Sequence, residues 1–120
     1  MLRFTQPTPL VTPQDVERVI ARDFKPEERS LATEELARYR LAGNKEVPAR
    51  VQLAVLKLAA GDLERLRMNV EVALADFRDV IASAEYPRCL RVDSLGSLSW
   101  LARSRLYGAD WKEYKAWLAH

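Results

Sequence analysis

The sequence predicts an all-α fold, a compact bundle of five to six helices around a central antiparallel helical hairpin at about 48–60 and 62–85. Three observations predict it. Apolar residues recur at steps of three and four through most of the chain, and residues suited to starting or stopping helices punctuate those stretches. No stretch shows the strict alternation of a half-buried strand. The 120 residues fit a single domain with a core of its own, and Pro7 and Pro9 mark residues 1–11 as an extended N-terminal arm.

Thr12 opens the first helix. Its hydroxyl suits the cap position, Pro13 suits the first helical turn, and Asp15 complements the positive end of the dipole. Val16, Val19, Ile20 and Phe24 then form one apolar stripe, until Pro26 interrupts it. A second helix lies within Pro26–Ala42, with glutamates in its first half, Arg38 and Arg40 near its end, and Gly43-Asn44 as its stop. The third, from Pro48 to Ala60, is apolar over two faces through Val51, Leu53, Ala54, Val55, Leu56, Leu58 and Ala59. A helix that apolar belongs at the centre of the fold.

After a Gly61-Asp62 turn, the fourth helix is read as one element running to Glu85 and stopped by Tyr86-Pro87. Leu63, Leu66, Val70, Ala73, Phe77, Val80 and Ala84 make its seam, which Leu74 and Ile81 widen beyond a strict coiled-coil pattern. Residues 87–93 read as a loop. A fifth helix is expected over Ser94–Tyr107, ended by Gly108, and a short last helix is expected to be opened by an Asp110–Glu113 capping box.

Composition narrows the chemistry. The hydrophobic share of 48% and net charge of +2 are those of an ordinary soluble domain. Lys and Arg outnumber Asp and Glu ten to eight in residues 1–61, fall behind three to six in 62–86, and lead six to three in 87–120. Neither imbalance names a partner. The N-terminal residues lack a signal-peptide pattern, no window has the apolar length of a membrane span, and the lone Cys89 excludes an intramolecular disulfide. A cytoplasmic protein without membrane contact is the expectation.

Catalytic constellations are hard to build from these residues. The sole histidine is the final residue, His120, so Ser-His-Asp or Cys-His arrangements lack their base. One cysteine and one histidine cannot supply a zinc site, and the carboxylates of 62–86 lack the Glu-x-x-His pairs of di-iron bundles. The four glycines are scattered, which rules against a phosphate cradle. A trio of Glu85, Arg78 and Asp79 is the last-ranked enzymatic alternative. The expectation is a non-enzymatic protein with no metal and no cofactor.

Binding is the better reading. Leu74, Ile81, Trp111 and Trp117 are the candidate interface residues: the first two widen the long helix's stripe, and tryptophan is enriched at hot spots. The seam is expected to pack mainly within the chain. A homodimer or another protein would cover the surplus, since two-fold dimers are the commonest oligomers. The alternative is single-stranded nucleic acid held by Arg88, Arg91, Arg103 and Arg105 among the tryptophans. It ranks second, because tryptophans in so short a terminal helix are expected to anchor it to the core.

The phrases Arg50-Val51-Gln52-Leu53-Ala54-Val55-Leu56-Lys57-Leu58-Ala59, Asp76-Phe77-Arg78-Asp79-Val80-Ile81 and Glu85-Tyr86-Pro87-Arg88 resemble a group of short bacterial proteins without an assigned activity. That resemblance implies a bacterial, cytosolic setting and transfers no reaction.

Overall fold

Thr12 caps the first helix as its chemistry dictates. In the computed structural model, which describes residues 9–41, 48–93 and 100–120, its hydroxyl accepts from the Asp15 amide while the Asp15 carboxylate accepts from the Thr12 amide. This reciprocal cap satisfies two amides that the first turn of a helix leaves free. Helix α1 (Pro13–Asp23) follows and buries Val16, Val19 and Ile20. A 3-10 turn (Pro26–Glu28) leads into α2 (Arg29–Leu41), and then come α3 (Pro48–Ala59) and α4 (Leu63–Ala75). Helices α5 (Phe77–Glu85), α6 (Pro87–Asp93) and α7 (Trp100–Ala119) complete the chain. All regular structure among the described residues is helical. Gly43-Asn44 and the expected start of the fifth helix at Ser94 lie outside those residues, as does the arm before Pro9.

Helix α3 packs against α1, α2, α4 and α5. Its Val51, Leu53, Ala54, Val55, Leu56 and Ala59 are all fully enclosed, which is why its sequence is apolar around most of the circumference. The α3–α4 turn is tight because two successive residues, Ala60 and Gly61, take left-handed conformations, with φ of 50° and 82°. Gly61 has a second reason to be glycine: a Cβ there would lie 2.8 Å from the carbonyl oxygen of Asp23 at the end of α1.

Residues 62–85 are not the single helix that periodicity predicts. Asp76, in an extended conformation at φ −158°, ends α4 and starts α5. Its carboxylate accepts from the Arg78 amide at 3.1 Å, so a side chain competes locally with the helical backbone and wins. Arg78 holds the same carboxylate at 3.0 Å, which pushes its pKa below the usual aspartate value. The break lets both halves of the seam turn onto α3. Leu66, Val70 and Ala73 meet it from α4, and Val80, Ile81 and Ala84 from α5.

Two further corrections concern the C-terminal third. Residues 87–93 form α6 rather than a loop. Helix α7 runs unbroken through Gly108, so neither the stop at Gly108 nor the Asp110–Glu113 capping box forms. Asp110 is instead enclosed between α6 and α7, where it serves a different helix.

Candidate functional site

Helix α4 shows how this surface is built. Asp62 caps it by accepting from the Arg65 amide at 2.9 Å, which satisfies an amide of its first turn. With Leu66, Val70 and Ala73 turned inward, the opposite face must carry Met68 and Val72, one turn apart. They are 63% and 41% exposed, a pair of sizeable apolar side chains in solvent. Ion pairs to α2 border them on one side: Arg67 reaches Glu35 at 3.6 Å, and Arg38 joins Glu35 at 2.9 Å and also Glu71. Helix α4 packs along α2, and the Arg67–Glu35 and Arg38–Glu71 pairs bridge the two helices beside the apolar pair.

The residues expected to widen the seam stand elsewhere. Ile81 is in the core and unavailable to a partner, and Leu74 is half-buried against the same core. The exposed pair is not apparent from the sequence for a physical reason. Met68 and Val72 lie off the dominant seam, and a reading that follows the strongest stripe discards them. Their i, i+4 spacing was the available signal.

The C-terminal half of α7 is anchored inward. Tyr114 is fully buried, and its ring stands 5.5 Å from that of Trp117. Above Trp117 lies the Arg22 guanidinium, 5.1 Å from the ring centre, which donates to the Trp117 carbonyl at 2.7 Å. Arg18 donates to the Leu118 carbonyl. Two cations from α1 therefore satisfy the free carbonyls at the end of α7, where the helix dipole is negative. Trp117 is thus an internal anchor that also lines the surface cleft beside Lys57. Trp111 is half-exposed, beneath the Lys115 ammonium at 5.7 Å, and borders a cavity of about 260 Å³ with Pro9, Leu10 and Leu118.

The Tyr114 hydroxyl accepts and donates no hydrogen bond among the described residues. Burial, reinforced by the Glu85 carboxylate, raises its pKa above the ordinary tyrosine value. The folded phenol therefore keeps its proton above about pH 10, where the unfolded one loses it. The unfolded state binds fewer protons there, so stability falls as pH rises. Tyr114→Phe is expected to leave stability unchanged or raise it by about 1 kcal/mol at neutral pH, because no bond is lost. It should also shrink the alkaline loss, as urea unfolding at neutral pH and above pH 10 would show. An unaltered alkaline loss would count against this account.

The four arginines proposed for nucleic acid are not equivalent. Arg88 is held by Asp110 at 2.9 Å and Glu113 at 3.1 Å, and those carboxylates raise its pKa. Arg91 and Arg105 are exposed and Arg103 is half-exposed. Arg103 and Arg105, two residues apart on α7, point to different sides of it. The trio of Glu85, Arg78 and Asp79 is not assembled either, since Glu85 pairs with Arg50 and Arg78 with Asp76. Among the described residues, no three His, Cys, Asp or Glu side chains converge as metal ligands, and no helix is long and apolar enough to cross a membrane. No family model, curated protein or solved structure matches the chain.

Proposed function

We propose that this protein is a non-enzymatic, cytoplasmic helical module that binds another protein, built on the hairpin of α3 with α4 and α5. The observation that carries the reading is the solvent-facing Met68–Val72 pair on α4. Docking on such a face removes two sizeable apolar side chains from water. The nucleic-acid alternative draws less support, because Arg88 is already neutralised by two carboxylates.

A photoreactive residue placed at position 68, in the cell that makes the protein, tests the reading. The expected result is one defined covalent adduct from position 68 and none from position 27, which is exposed on the 3-10 turn. Absence of any adduct from position 68 would sink it.

A further inference from the structure

Gly108 lies inside α7, where glycine costs about 1 kcal/mol relative to alanine. A Cβ added there would meet nothing within 4 Å, so no contact among the described residues asks for a glycine. Its neighbours at helical spacing are Leu101, Arg105 and Lys112, all exposed and on one face, with Leu101 at 55%. Neither Arg105 nor Lys112 has an ion pair among the described residues. The face is therefore basic, apolar at one end, and smooth in the middle.

Its complement lies elsewhere on the same molecule. Helices α1 and α2 leave between them a groove of about 330 Å³, walled by Val16, Ile20, Leu36 and Ala37. Two charged residues line it. Arg29 already donates to the carbonyls of Phe24 at 3.2 Å and Ala21 at 2.9 Å, whereas Glu17 is exposed and has no ion pair among the described residues. The groove thus has an apolar floor, an Arg29 guanidinium tied to backbone carbonyls, and a Glu17 carboxylate left open to a cation.

We propose that the outward face of α7 from one copy of this chain seats in the α1–α2 groove of a second copy. Gly108 lets the helix backbone approach closely, and Arg105 and Lys112 face Glu17. The contact joins unlike surfaces, so every copy offers both halves. It is small, which makes the association weak and dependent on concentration and salt. The proposal is separate from the α4 reading and uses none of its residues.

Sedimentation equilibrium from micromolar to millimolar protein tests it. The wild type should self-associate, less so as salt rises. Gly108→Ala should raise Tm, because the helix gains alanine, yet weaken association by about tenfold or more because the approach is blocked. A role confined to the fold would not produce that split. Glu17→Lys and the double variant Arg105→Glu/Lys112→Glu should each lose association, and mixing them in equal amounts should restore it, since each then matches the other's charge. A wild type that stays monomeric throughout, variants that associate as the wild type does, or a mixture that stays apart would each overturn the proposal.

Discussion

Replacing Glu85 by alanine lowers the unfolding free energy by about 4 kcal/mol, as denaturant titration would measure it. Glu85 is 3% exposed at the end of α5, and its two oxygens accept from Arg50 Nε at 2.9 Å and Nη2 at 2.8 Å. This two-pronged geometry joins the first turn of α3 to the last turn of α5. Two charges withdrawn from water are tolerable only while each satisfies the other. The alanine variant takes both Glu85 bonds from a largely enclosed guanidinium, and that loss is the main cost. The loss is a large share of the roughly 5–15 kcal/mol that keeps a domain folded. The pair as a whole is worth much less than its breaking, because an apolar pair would avoid the desolvation cost. The double variant Arg50→Met/Glu85→Leu should therefore return to within about 1 kcal/mol of wild type. If the double variant is as unstable as Glu85→Ala, shape rather than charge is what the site requires.

That pair also shows which parts of this molecule were legible in the sequence. Helices with local signals could be read: Thr12, Pro13 and Asp15 announce α1, and the apolar circumference of α3 marks it as central. Local chemistry also misled where one residue type has two uses. Asp76 looks like an ordinary polar residue in a helix, yet its carboxylate breaks the helix by taking the Arg78 amide. Gly108 looks like a stop but is carried through, because the residues after it bury Tyr114 and are gripped by Arg18 and Arg22, 95 to 100 positions away. The partners of Glu85 and Asp110 lie 35 and 22 positions distant, beyond any window that reads periodicity or caps. The α4 surface was half legible. A helix at these residues is legible, but its rotation depends on α2 and α3 packing, and rotation decides that Met68 faces water while Leu66 does not.

Asp110→Ala is expected to cost about 3 kcal/mol and to loosen one particular part of the molecule. Asp110 is 1% exposed in the middle of α7. One oxygen accepts from the Arg88 amide at 3.3 Å and from Arg88 Nη1 at 2.9 Å, and the other accepts from the Cys89 amide at 3.2 Å. Helix α6 begins at Pro87, so these are amides of its first turn, which no residue of α6 itself can satisfy. A capping carboxylate ordinarily sits just before the helix it serves. Here it comes from a different helix, and the cap doubles as the clasp between α6 and α7. The alanine variant takes this acceptor from both amides and leaves Arg88 paired with Glu113. Asp110→Asn should be nearly as damaging despite its equal size, because an amide NH₂ would face an N–H donor where an acceptor is needed. Cys89 reports the local effect, since its thiol is buried in wild type. In both variants a thiol reagent should modify Cys89 much faster than in wild type, under conditions where the rest of the protein is still folded. A thiol that stays protected after either substitution would mean that packing, rather than the Asp110 carboxylate, holds α6 in place.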